Sequence, residues 1–350
     1  MSSLYSSLTP KERDTVHLAL TGESIIDWPR FHFKNLDEVR HFLRINEYHL
    51  EETKDSDRLM AVHNEAVGYL RGHLHLNLSE ELMNPQKILE VFLAASDFSN
   101  PALQSQACAL LKTMHVINHI DGQELIFHCP IMPRDLYSLV CDKIERVLSG
   151  PIRRKVPALQ YTCGRKQKES LITRLLAKRS TPARNNDKVR YQIVVPTRQE
   201  VLEILLLLFD SVVPMNYVVP GQSVNDLFDE KELLELNLPL PDYLHRRLRE
   251  SADKKNQPHS VMATTSPEYS GKSYHVMKFT ADLPVRMDRY LEQANILRTE
   301  TLGCITHLLV EFQIIDEATF RENNQGENEH SRYKERQKLG VNHRLTGTSK

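Results

Sequence analysis

No two of the five cysteines (Cys108, Cys129, Cys141, Cys163 and Cys304) stand at CxxC spacing, and their number is odd. Both facts argue against a structural zinc site and against a disulfide framework. Glycine-rich phosphate loops are missing as well. Neither GxGxxG nor GxxxxGK[ST] occurs, so any phosphate handling must come from side chains. Long apolar runs are absent: the longest, Ile204–Phe209, falls far short of the roughly 20 residues that span a bilayer. The opening stretch, MSSLYSSLTPKERD, has no apolar segment of the secretory kind. A cytoplasmic protein with no membrane partner is the expectation. Internal repeats are also lacking, and the single tryptophan, Trp28, is read as a core anchor.

What is present is a chain of 350 residues, 40% hydrophobic and 26% charged, long enough for one large domain or two ordinary ones. Its formal charge of −1 conceals an uneven spread. Between Pro151 and Arg190, twelve basic residues are opposed only by Glu169 and Asp187, a net of +10. Such a block attracts polyanions: nucleotide phosphates, RNA or an acidic surface. A solvated basic helix is the plain alternative.

Residues 1–150 read as a helical domain. Leu36–Ile45 has helical spacing with Asn35 as a cap. Asp57–Leu74 is a longer helix, with Ala61, Ala66, Val67 and Leu70 toward the core. Pro85–Ala95, Pro101–His119 and Pro133–Leu148 each open on a proline that suits a first turn. His115 and His119 lie four apart, with His128 beyond. The general-base Glu of HExxH is missing, so packing or surface histidines are the preferred reading over a metal site.

Residues 151–345 mix strands and helices in an order that implies an α+β domain with a mixed sheet flanked by helices. A basic helix, Glu169–Lys178, leads to a strand at Val189–Val195. A helix at Arg198–Asp210 and a strand at Val212–Val219 follow. A helix near Asp242–Ser251, a polar loop to Ser270, strands at Ser273–Ala281 and Thr306–Ile315, and a helix at Asn328–Lys338 complete it. Glu311 stands in the middle of the apolar strand THLLVEFQII, where a carboxylate costs several kcal/mol unless a cation, a metal or hydrogen bonds compensate it. Asp187 stands at the entry to the strand YQIVV. Two acids near strands, beside a field of Arg and Lys, suggest a metal-phosphate site. The plain readings are a Glu311 ion pair in an ordinary core and a turn cap at Asp187.

The stretch from about 160 to 340 resembles the synthetase domain of RelA/SpoT alarmone enzymes. Glu311-Phe-Gln313-Ile is similar to the family's E-[VI]-Q-I strand. Gly326 followed by His330-Ser-Arg-Tyr333-Lys334 keeps the spacing of its G-x-A-A-H-W-x-Y-K helix. Ser273-Tyr-His275 resembles S-L-H. Asp187, five residues before Gln192, sits where the family has its metal-binding aspartate. Lys166 and Ser170 reproduce K-x-x-x-S of the basic motif. The resemblance implies an ATP-dependent pyrophosphotransferase of guanosine tetraphosphate metabolism, the stringent response. It would move the β,γ-pyrophosphate of ATP to the 3′-hydroxyl of a guanine nucleotide or a related acceptor such as tRNA. It further implies Mg²⁺ held by Asp187 and Glu311, both catalytic, and phosphates held by Arg165, Lys166, Lys168 and Arg174. Ser170, His275, His330, Tyr333 and Lys334 would complete the nucleotide site. The chain departs from the pattern at Gly164, Gln192, Gly271, Ile315-Asp316 and Ser331, mostly where substrate would be recognised. A non-catalytic module on the same fold, sensing nucleotides or RNA, is the alternative.

Overall fold

The computed structural model describes residues 9–21, 31–129, 131–157, 159–165, 168–178, 189–228, 275–294, 302–325 and 330–346. Local chemistry sets the first helices. Helix α1 (Pro10–Thr21) opens on a reciprocal cap in which Thr9 N donates to Glu12 Oε2 at 2.7 Å and Glu12 N donates to Thr9 Oγ1 at 3.3 Å. Helix α2 (Leu36–Ile45) forms where the spacing predicts it, with Asn35 Oδ1 accepting from Asp37 N and Glu38 N. Helix α3 (Thr53–Gly72) starts earlier than expected. Its buried stripe runs through Leu59, Val62, His63, Ala66 and Leu70, which leaves Ala61 exposed rather than in the core.

Helix α4 (Glu80–Met83) is a single turn. Pro85 does not open the next helix: it follows the end of α4, and the chain bends before α5 (Leu89–Ala94) begins. Prolines do open α6 (Pro101–His128) and α7 (Pro133–Val147), and Asn100 Oδ1 caps α6 through Leu103 N at 3.2 Å. Helix α6 runs well past His119, so His128 lies on the same helix. After α7 the chain makes a wide turn, Leu148–Ile152, around Pro151.

Strand β1 (Gln160–Arg165) follows, at a place where no strand was expected. Among the described residues it pairs only with β2, at the edge of the sheet, and its side chains are mostly exposed, so it lacks the apolar alternation that marks a strand in sequence. Then come α8 (Lys168–Lys178), β2 (Val189–Val195) and α9 (Arg198–Ser211), the last opened by a Thr197–Glu200 capping box. Val212–Val219 is not a strand. Pro214 leads into a 3₁₀ turn at Met215–Tyr217, and a single bridge joins Val218 to Ala281. The remaining elements are β3 (Val224–Asn225), β4 (Met277–Arg286), α10 (Asp288–Ala294), β5 (Ile305–Asp316), α11 (Glu317–Asn323) and α12 (His330–Thr346). Strand β4 thus lies several residues later than predicted. Trp28, Asp242–Ser251 and the loop to Ser270 lie outside the described residues.

The fold is α+β. Its sheet has the order β1-β2-β5-β4-β3, with β2 parallel to β5 and the other pairs antiparallel. One face carries a ring stack running Phe209–Phe279–Phe312–Tyr191, with centroids 5.3, 5.1 and 6.1 Å apart. Each fully buried aromatic or aliphatic side chain of this kind stabilises by about 1.5–3 kcal/mol relative to exposure. Helices α6, α7 and α9 pack on the sheet, so one buried cluster extends from Val16 in α1 to Ile314 in β5. Among the described residues no helix is long and apolar enough to cross a membrane.

Candidate functional site

The register of β5 against its neighbours decides what surrounds Glu311. Arg190 of β2 lies beside it on one side and Thr280 of β4 on the other. Strand alternation then puts Arg190, Gln192, Lys278, Thr280, Glu311 and Gln313 on one face, opposite the ring stack. Arg190 Nε donates to Glu311 Oε1 at 2.6 Å, and Gln313 Nε2 donates to the same oxygen at 3.0 Å. These charge-assisted bonds compensate the desolvation of a carboxylate whose side chain is only 10% exposed. Arg190, 37% exposed, reaches solvent from the same pair. The buried acid read from the sequence is therefore an ion pair with a strand arginine. Gln192 stands beside Gln313 on the same face.

Other residues of the expected site are placed as follows. Asp187 and Lys166 lie outside the described residues, as do the side chains of Lys168, Arg174, His330 and Tyr333. The helices that carry the last four, α8 and α12, pack against each other, which brings the basic motif beside the C-terminal one. Ser170 is partly buried on α8 and Lys334 exposed on α12. Arg165 does not join Glu311. It pairs in register with Val189, on the opposite face of the sheet, and its guanidinium lies 4.0 Å from the ring centroid of Tyr137 in α7. His275 is exposed just before β4, where its N–H donates to Asn323 Oδ1 at 3.0 Å and its ring Nδ1 lies 3.1 Å from the Asp226 carbonyl. Among the described residues no group of three or more His, Cys, Asp or Glu side chains is arranged to hold a metal ion.

A second polar cluster sits where α6 meets the start of β5. His115 and His119 share a face of α6, as their spacing implies, yet His128 bonds Glu124 on its own helix and stands apart. Their neighbours are His307 of β5 and Tyr217 of the 3₁₀ turn: His119–His307 centroids are 4.9 Å apart and Tyr217–His307 centroids 4.6 Å. His307 is buried and neither ring nitrogen has a hydrogen-bond partner among the described residues. Burial lowers the pKa of all three imidazoles, that of His115 to about 4, and the charges of the other histidines add to this at His115 and His307. Burial also pushes Asp282 up to about 6. His119 Nε2 is 3.4 Å from Asp282 Oδ2, but each of the two is driven toward its neutral form, so this contact is not a strong ion pair.

Beside the cluster, a cavity of about 800 Å³ opens between α3, α6, α10 and the start of β5, with Tyr48, Arg58, Tyr217, Cys304 and His307 among its walls. Its charges are largely paired within the fold: Arg58 binds Asp121, Lys54 binds Asp288 at 2.7 Å, and Asp55 binds Arg286. The Tyr48 hydroxyl donates to Asn118 Oδ1 at 2.6 Å. Sequence reading missed this cavity because its walls come from segments spread between Asn46 and His307. The paired histidines of α6 and a histidine inside the β5 strand were the available signal.

Comparison of the chain with protein-family models, with curated proteins and with solved structures finds no match in any of the three.

Proposed function

We propose that the chain is a divergent pyrophosphotransferase of the RelA/SpoT type, acting on ATP and a 3′-hydroxyl acceptor that is a guanine nucleotide or an RNA end. The observation that carries this reading is the buried Glu311, paired with Arg190 on a polar face of a mixed sheet. The packing of α8 against α12, which makes neighbours of two motif-bearing helices, supports it further. Transfer forms a bond between the acceptor 3′-oxygen and the β-phosphorus of ATP and breaks the α,β-bridge, releasing AMP.

Glu311 has the chemistry to take the hydroxyl proton, and Arg190 has the charge to oppose the anionic oxygens that crowd the reacting phosphorus. Mg²⁺ suits the hard carboxylate oxygens of Asp187 and Glu311 and would neutralise phosphate charge when bound. The test is incubation of the purified chain with γ-labelled ATP, Mg²⁺ and GDP, GTP or tRNA. Label should move to one acceptor, and Glu311→Gln should lower the rate about 100-fold or more with the fold intact. A folded protein that labels none of them overturns the proposal.

The Arg190–Glu311 pair itself favours a second reading, a module that binds nucleotide or RNA without turnover, because the Arg190 guanidinium and the Gln313 amide already engage Oε1 of the carboxylate. That reading predicts a raised Tm with nucleotide, no label transfer, and the same nucleotide affinity in Glu311→Gln.

A further inference from the structure

Cys141 on α7 and Cys163 on β1 are 22 residues apart in sequence, and their sulfurs are 3.5 Å apart. The contact belongs to a matched pair of rows. Tyr137 and Cys141 lie one helical turn apart on α7, while Arg165 and Cys163 lie two residues apart on one face of β1. The Arg165–Tyr137 cation–π contact and the cysteine contact are therefore two rungs of one seam, and the first holds the second in register. β1 is the edge strand of the sheet, which leaves Cys163 exposed, whereas Cys141 is half-buried behind it. A disulfide needs sulfurs at about 2.05 Å, so closure asks for about 1.5 Å of movement, within reach of side-chain rotation.

We infer that Cys163 and Cys141 form a covalent modification site for small disulfides, with Cys163 as the attacking thiol and Cys141 as the resolving one. Two observations assign these roles. Exposure makes Cys163 the sulfur that an external disulfide reaches first. The hydrogen bond shared with Cys141, supported by the Tyr191 hydroxyl, lowers the Cys163 thiol to about 6, against the opposing effects of burial and of Glu145 one turn along α7. Cys141, the partner that keeps the proton, is raised. The Cys163 thiolate attacks one sulfur of oxidised glutathione, forming a mixed disulfide and releasing one glutathione thiolate. Cys141 then loses its proton and attacks the Cys163 sulfur, forming the intramolecular bond and releasing the second glutathione. Two protein thiols are oxidised and one glutathione disulfide is reduced to two thiols, so electrons balance. The other cysteines do not compete: Cys108 and Cys129 are buried, and burial pushes the thiols of Cys108 and Cys304 up, to about 11 and about 12.

The experiment uses the full chain with oxidised glutathione at neutral pH, followed by intact mass, thiol titration and peptide mapping. The expected product has lost two hydrogens, titrates three free thiols instead of five, and yields a cross-linked peptide containing Cys141 and Cys163. It should melt at higher temperature than the reduced form and return to it with dithiothreitol. Cys141→Ser should stop at one glutathionyl group on Cys163, and Cys163→Ser should react at least ten-fold more slowly. Five free thiols after prolonged exposure, a cross-link elsewhere, or a wild-type chain that stays at the mixed disulfide overturns the inference. The wild-type mapping decides it whatever the folding of the variants.

Discussion

Glu311 and Arg190 show what a single residue reveals and what it conceals. The acid was legible because a charge interrupts an apolar strand, and burial of a carboxylate always asks for a partner. The partner was not legible. Arg190 was one of twelve bases in a crowded segment, and only the parallel register of β2 against β5 selects it. Arg165 erred in the opposite sense, because a one-residue step along a strand reverses the face and so sends it to Tyr137. The pair makes a stability prediction separate from any activity. Arg190→Met takes the guanidinium away from a buried Glu311 carboxylate that keeps its bond from Gln313, and should cost about 1–3 kcal/mol, less than a fully buried pair because Arg190 is partly solvated. Glu311→Gln in the Arg190→Met background should recover part of that loss. Urea midpoints at unchanged slope measure both. An unaltered midpoint in Arg190→Met would show that the arginine is not what makes the acid tolerable.

Helix starts were read well where a local signal marks them: Asn35 caps α2, and Pro101 and Pro133 open α6 and α7, although α6 runs to His128 rather than ending at His119. Asn100 and the Thr197–Glu200 box satisfy orphan N–H groups in the same local way. β1 and the turn at Met215–Tyr217 were misread because tertiary contacts decide them: β1 is a strand only through its pairing with β2, and Asn216 is turned inward to donate to Asn46 Oδ1 at 3.0 Å. Helix α6 carries a cost that sequence alone cannot explain, a glycine in its interior. An added Cβ at Gly122 would lie 2.6 Å from His307 Nδ1 and 2.9 Å from the Ile305 carbonyl, so only glycine lets β5 approach the helix this closely. Gly122→Ala should therefore destabilise by about 1–3 kcal/mol through overpacking, outweighing the ~1 kcal/mol that alanine gains in a helix. Gly68→Ala on α3 is the control. Among the described residues nothing lies within 4 Å of its added Cβ, so it should be neutral or stabilise by up to ~1 kcal/mol. A Tm that falls for Gly122→Ala and holds for Gly68→Ala is the expected result; equal behaviour would remove the close approach as the reason for the glycine.

On the scale of the whole molecule, the histidine cluster lies where α6 meets β5, with His307 buried and His115 and His119 partly buried beside the core cluster that spans helices and sheet. Its protonation is therefore coupled to global unfolding. His115, His119 and His307 have folded pKa values below the ~6.5 of an unfolded histidine, so unfolding takes up protons below that pH. Their contribution is whole above about pH 6.5 and is lost as pH falls. Asp282 acts in the other direction. Its folded pKa of about 6 exceeds the unfolded ~3.9, so between those values the folded protein holds a proton that the unfolded chain lacks, and stability rises as pH falls. The histidines oppose Asp282, Asp121 and Asp226, all raised by burial. His115, lowered to about 4, contributes a loss of up to ~1.4 kcal/mol of stability per pH unit as pH falls from about 6.5 toward 4. Denaturant midpoints taken in steps from about pH 7.5 to 4.5 should fall more steeply below about pH 6.5 in the wild-type chain than in His115→Gln, with far-UV and near-UV circular dichroism changing together. His115→Gln should flatten the slope by about one proton. A His115→Gln chain with the same pH slope as the wild type would mean that this imidazole is not held neutral in the folded protein. Near-UV signal lost well before far-UV signal would mean that the junction opens without unfolding the rest, contrary to a core shared by helices and sheet.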